Sequence, residues 1–244
     1  MDPVLMVTRR DWPKPSLWMD AGKAETLTLD TGLVSAWSNF LDVTQSFTAT
    51  STDRPTYVAS GINGYPSIDF DGTTFLANSS QIFTGAAGAV IIIGEITTLA
   101  AFVALSHGDT ALAAKCLYLG ATYFSSNARL NYYERWDNTA DSLYGNTFLN
   151  TNPACWVWHN SGSVLSMWVN GVEQTVSIAS GANNGHWWSV GAANKTVIGG
   201  AVYASTIEYK LDGLISEIVV YDQSVSYVDI LPLINHLSTK YGIS

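Results

Sequence analysis

Asp69 and Asp71 stand two apart in Ile68-Asp69-Phe70-Asp71-Gly72. In a regular strand both carboxylates point to one face, where they could share a proton or a cation. The plainer reading is a solvent-side pair at a turn, because Asp-Gly commonly closes a strand. Ser106-His107-Gly108-Asp109 has the residue types of a nucleophilic triad. A contiguous run cannot bring three side chains into one line of hydrogen bonds, so it reads as a turn. Glu217 and Asp222 fall in one strand but on opposite faces by parity, and Glu208 and Asp212 lie on a separate approach. The four histidines, His107, His159, His186 and His236, form no His-x-x-x-His or His/Cys pair, so a zinc site would require convergence of distant segments. Asp137-Asn138-Thr139-Ala140-Asp141 offers three hard oxygen ligands in one loop, Asp137, Asn138 and Asp141, although such clusters are also ordinary turn chemistry.

The nine tryptophans are a second set of candidates. Trp156 and Trp158 share a face of one strand and Trp168 lies on its neighbour, which reads as a core or inter-sheet cluster. Trp187 and Trp188 follow Gly181-Ala182-Asn183-Asn184-Gly185-His186, a loop composition expected to leave at least one indole facing outward. Asn183, Asn184, His186, Trp187 and Trp188 are therefore the candidate ligand-binding residues. Aromatic faces among short polar side chains suit sugar binding, in which rings stack on C–H faces while amides read hydroxyls. They equally suit a protein interface, and a buried loop plug is the third reading.

The elements that must position these residues are strands. Runs of five to eight residues rich in Val, Ile, Tyr, Phe and Trp alternate with Gly, Asn, Asp and Ser clusters, which marks an all-β chain. Strands are expected at 67–70, 88–96, 101–106, 115–120, 129–134, 147–150, 155–160, 164–169, 172–177, 196–199 and 211–221. Asn160-Ser161-Gly162-Ser163 and Asn170-Gly171 mark two successive hairpins. Apolar spacing from Ser226 to Leu237 predicts a short C-terminal helix, with Ser226 and Asp229 placed as a capping box and Pro232 near the first turn. Pro3, Pro13 and Pro15 make residues 1–15 an extended arm ahead of one domain spanning 16–244. Arg9 and Arg10, an adjacent basic pair on an acidic chain, are expected with Trp12 to dock on another subunit.

Composition narrows the function classes. The chain has 244 residues, 47% of them hydrophobic, enough for one large core. Only 13% are charged, so the surface is solvated by neutral polar groups, as suits an exposed binder or an assembly subunit. A net charge of -9 argues against nucleic-acid partners. The longest apolar tract, 86–93, is too short to span a bilayer, so no membrane insertion is expected. The first ten residues have the wrong order for a secretory signal. Cys116 and Cys155 read equally as buried free thiols or one disulfide, and not as a metal pair.

Blocks at both ends carry a family resemblance. Ser16-Leu17-Trp18-Met19-Asp20-Ala21, Val34-Ser35-Ala36-Trp37-Ser38 and Phe70-Asp71-Gly72 stand at one end, and Leu211-Asp212-Gly213-Leu214-Ile215-Ser216-Glu217-Ile218-Val219-Val220-Tyr221 at the other. Together they resemble the concanavalin A-like, laminin-G-type family. The resemblance implies a jelly-roll β-sandwich of two antiparallel sheets, with Trp37 packed inward and the late Asp-Gly strand paired beside the first. It departs after Trp37, where Asn39-Phe40-Leu41-Asp42 replaces the Asp-x-Ser-Gly-Asn-Gly-like turn of many relatives. Relatives often hold calcium in loop carboxylates, which makes calcium the cation expected, if any, at Asp137, Asn138 and Asp141. Glycosidases on this sandwich carry Glu-x-Asp-x-x-Glu, a string this chain lacks, so no enzyme activity is expected. A laminin-G-like domain of this kind resembles virion proteins of tailed bacteriophages. That implies capsid decoration or a tail or receptor-binding part, displayed on the virion surface and made in the host cytoplasm. Its partners would be other virion subunits, copies of itself and a cell-surface carbohydrate. A stand-alone carbohydrate-binding lectin module is the alternative, and a glycoside hydrolase or polysaccharide lyase the second alternative.

Overall fold

The computed structural model describes residues 12–112, 115–124, 127–136, 139–188 and 193–244. The strands that the alternation predicts pair antiparallel and form two facing layers. Gly88–Ile96 shows why its sequence is almost continuously apolar: both of its faces are covered. Val90, Ile92 and Ile96 face the core between the layers, while Ala89, Ile91 and Ile93 face the C-terminal helix. This strand pairs with Ala154–Asn160 on one side and Asp212–Tyr221 on the other. Asp212–Tyr221 then pairs with both Leu17–Asp20 and Ser67–Asp71, so the late strand does lie beside the first. Trp37 is fully buried in the inter-layer core.

The second layer runs Leu76–Asn78, Lys195–Ile198, Phe102–Gly108, Lys115–Phe124, Asn127–Trp136, Thr139–Phe148 and Ser177–Ser180. Two expectations are corrected here. Ser106, His107 and Gly108 are strand rather than turn; His107 is buried against Trp188, with its Nδ1 3.1 Å from Thr196 Oγ1. Asp141 lies in the Thr139–Phe148 strand rather than in a loop. Its polar sequence hides the strand, which forms because neighbours pair on both sides. Asn170 and Gly171, at φ 51° and 75°, make the hairpin turn that the Asn-Gly pair predicts. The expected 172–177 strand splits in two. Val172–Glu173 stays with the first layer and Ser177–Ser180 joins the second.

Trp156 and Trp158 point into the inter-layer core. Trp168, opposite Val157 in the ladder, points the other way and stacks on Tyr227 of the helix at 3.9 Å. The helix spans Tyr227–Lys240, three residues beyond the expected end, with Ser226 accepting from the Asp229 N–H. Ile230, Leu233, Ile234 and Leu237 form its buried stripe. Its last turn is pinned by Glu217, which accepts from Trp18 Nε1, Lys240 Nζ and the Tyr241 hydroxyl at 2.6, 2.5 and 2.9 Å. Burial, reinforced by nearby Asp20, raises the Glu217 pKa, and Lys240 opposes the rise. Cys116 and Cys155 are free and buried, on the outer faces of opposite layers. No helix among the described residues is long and apolar enough to cross a membrane.

Candidate functional site

The outer face of the second layer carries an open cleft. Strands Lys115–Phe124 and Asn127–Trp136 pair along their whole length, which places Tyr118 directly opposite Tyr133. Their rings stack at 5.4 Å, a cross-strand aromatic contact of roughly 0.5–1 kcal/mol. Alternation puts Asn131 on the same face, and Ser142 of the next strand lies opposite Tyr133. Above this floor stands the hairpin Ala201–Tyr203 and Thr206–Glu208. Tyr118 donates its hydroxyl to the Val202 carbonyl at 2.6 Å, and Ser106 donates to Gly200 at 2.7 Å. The hairpin overhang brings Tyr203 and Tyr209 to the rim, 40% and 54% exposed.

Tyr209 has φ 47°, an uncommon conformation for a bulky side chain. It is held there by its carbonyl, which accepts from the Val103 N–H at 2.8 Å. The cleft so formed has a volume of about 270 Å³, near the lower end of small-ligand sites at roughly 300 Å³. Its lining is aromatic, amide and hydroxyl, with Ala101, Val103 and Ala121 as small aliphatic parts and no charged side chain among the described residues. Burial pushes the Tyr118 and Tyr133 phenols up, so the floor stays neutral at ordinary pH. Flat aromatic faces beside an amide and hydroxyls can stack on a sugar ring and read its hydroxyl groups.

The sequence candidates fare differently. Trp187 and Trp188 are both fully buried, which corrects the expectation of an outward-facing indole. Strand alternation does not apply to this irregular segment, and both rings turn into the core. Trp187 lies parallel to Tyr132 at 6.2 Å, and Trp188 packs on Phe83 at 4.9 Å. Of the three readings, the buried plug describes this loop. Asn183 is occupied structurally, accepting from the Leu165 N–H and donating to the Leu165 carbonyl. Asn184 accepts from the His186 N–H. His186 is the loop's exposed ring, and it meets Glu134 and Asp141, a group with the donors to hold a metal ion. Burial raises the Glu134 pKa, and His186 opposes the rise.

Asp137 and Asn138 lie outside the described residues, as do Arg9 and Arg10. Trp12 is partly buried and stacks on His236 of the C-terminal helix at 5.9 Å. Asp71 closes a turn, accepting from the Thr73 and Thr74 N–H groups, and Asp222 accepts from those of Thr84 and Gly85. Tyr203 and Tyr209 had no signal in the sequence beyond their residue type, since only the hairpin's overhang makes them a rim. Asn131 and Tyr133 carried a weak one, their place two apart in the strand expected at 129–134.

No protein-family model and no curated protein sequence matches the chain. Solved structures do. Domain 4 of AbnA, a GH43 extracellular arabinanase from Geobacillus stearothermophilus, in complex with arabinotriose, aligns at TM-score 0.60 and 14% identity, covering 91% of this chain and 98% of that one. The CBM40 of the Ruminococcus gnavus IT-sialidase aligns at 0.56 and 17% identity, covering 70% and 95%; it is also known bound to α2,3-sialyllactose. NanB sialidase from Streptococcus pneumoniae aligns at 0.53 and 11% identity over 67% of this chain and only 26% of its own. The chain shares its β-sandwich fold with carbohydrate-binding modules. At these identities the likeness is one of fold.

Proposed function

We propose that this chain is a carbohydrate-binding module that holds a short neutral glycan in the tyrosine cleft without cleaving it. The observation that carries the reading is the lining itself: Tyr118, Tyr133, Tyr203 and Tyr209 around Asn131 and Ser142, open to solvent and uncharged. The solved relatives bind both a neutral sugar, arabinotriose, and an acidic one, sialyllactose. With no lysine or arginine among the described residues of the lining to meet a carboxylate, the neutral class fits better. The described residues of the lining include no carboxylate pair, which glycoside hydrolysis uses as acid and base or nucleophile. A concanavalin A-like, jelly-roll topology is part of this proposal. The virion role implied by the family resemblance rests on that resemblance alone.

The test is calorimetric titration of the chain with arabinotriose and with sialyllactose, beside an array of neutral glycans. Binding to a neutral glycan should fall at least tenfold in Tyr203→Ala and Tyr209→Ala with the thermal midpoint nearly unchanged, since an aromatic anchor contributes about 2 kcal/mol. Binding that survives both substitutions, or that is confined to sialylated ligands, would refute the reading.

A further inference from the structure

Glu134 and Asp141 are direct partners across the ladder of Asn127–Trp136 and Thr139–Phe148. By parity they face the opposite way from Tyr133 and Ser142 of the cleft. Like charges set opposite one another in a ladder repel, and a positive partner relieves that repulsion. His186 arrives from a segment far along the chain, its Nδ1 3.2 Å from Glu134 Oε2 and 3.5 Å from Asp141 Oδ2. The three ligand atoms lie within 4.8 Å of one another. With metal–ligand bonds of about 2.0–2.1 Å, neighbouring ligands of a tetrahedral zinc ion stand about 3.3 Å apart. The imidazole keeps close to that spacing from both carboxylates.

A second observation is independent of the cluster's composition. The Glu134 side chain is only 3% exposed, and its other oxygen, Oε1, is buried with no hydrogen-bond partner among the described residues. The His186 Nδ1 answers Oε2 and leaves Oε1 unmatched, whereas a cation can be shared by both oxygens of one carboxylate. The ligands are also held from behind. The Tyr132 hydroxyl donates to the His186 carbonyl at 2.7 Å and stands 3.2 Å from Glu134 Oε2, and the Ala182 N–H donates to Asp141 Oδ1 at 2.8 Å. Gly181, at φ +70°, passes so close that a Cβ there would stand 1.9 Å from Asp141 Oδ1. Such outer contacts orient metal ligands. The His186 side chain, 51% exposed, leaves an entry path.

We propose that Glu134, Asp141 and His186 form a binding site for one divalent cation of the zinc type, which ties the 181–188 loop to the strand pair behind the cleft. One imidazole nitrogen with two carboxylates suits a borderline transition ion, whereas calcium takes six to eight oxygen ligands. Three protein ligands leave a coordination position toward solvent. The site does not depend on the glycan reading.

The full chain, stripped of metal, is titrated with zinc chloride by calorimetry and melted with and without the ion. One saturable Zn²⁺ per chain is expected, with the midpoint raised about 5 °C at a hundredfold excess over Kd. His186→Ala removes an exposed ring and should fold; it should bind Zn²⁺ at least tenfold more weakly and lose the rise in midpoint. Glu134→Gln should do the same, with circular dichroism reporting its fold. No saturable uptake by the unmodified chain, equal uptake by His186→Ala, or preference for Ca²⁺ over Zn²⁺ would overturn the proposal.

Discussion

The tyrosine cleft and the tryptophan loop lie on opposite sides of one sheet and are built from similar residues, aromatics near glycines and short polar side chains. The cleft lies on an outer face that a two-stranded hairpin covers in part, and Tyr203 and Tyr209 remain exposed at its rim. The loop's two tryptophans enter the space between the layers and are lost to solvent. Residue type therefore sets what a surface could bind, while the neighbouring elements decide whether it is a surface at all. A neutral phenol at a rim and an indole in a core have opposite consequences when removed.

The largest effect is expected at Trp188. Trp188→Ala should destabilise the chain by about 3–5 kcal/mol, since the ring packs on Phe83 and His107. Denaturant unfolding checks it, and a loss below about 1 kcal/mol would return this loop to the surface. His107 comes next. Burial pushes its imidazole pKa down from 6.5 to about 4. Between those values the unfolded chain takes up a proton that the folded chain refuses. Stability is therefore full above about pH 6.5 and falls as the pH drops toward 4, by about 3 kcal/mol in all. Unfolding curves across this window should show the slope, and His107→Leu should flatten it; an unchanged slope in the variant would exclude His107 as its source. The smallest effect on stability belongs to the cleft. Tyr209→Gly should leave the chain as stable or slightly more so, within about 1 kcal/mol, because glycine accepts the positive φ without strain. The same variant should still bind glycan more weakly than the unmodified chain. A loss of several kcal/mol would show the rim tyrosine to be structural, and the contrast with the loop would disappear.

Much of the fold was legible because it depends on short-range pattern. The unbroken apolar run at 88–96, the Asn170-Gly171 turn and the Ser226 cap each state their structure within a few residues. The Thr139–Phe148 strand was hidden because its residues are mostly polar, and it becomes a strand only through pairing on both sides. The site was far less legible. Tyr118 and Tyr133 meet across one ladder, but Tyr203 and Tyr209 reach them from a hairpin distant in sequence. His186 was identifiable as a polar residue in a glycine-rich loop, while its convergence with Glu134 and Asp141 was invisible to spacing.

By itself the sequence determined an all-β chain with a capped C-terminal helix, and it marked the aromatic and carboxylate residues able to do chemistry. These follow from local propensity, turn geometry and alternation, which act between neighbours along the chain. Tertiary structure alone decided which aromatics face water, which carboxylates lie side by side and which histidine completes the group. Those outcomes depend on how two sheets, one hairpin and one loop pack together, and the free energy of that packing is summed over contacts between residues far apart in sequence.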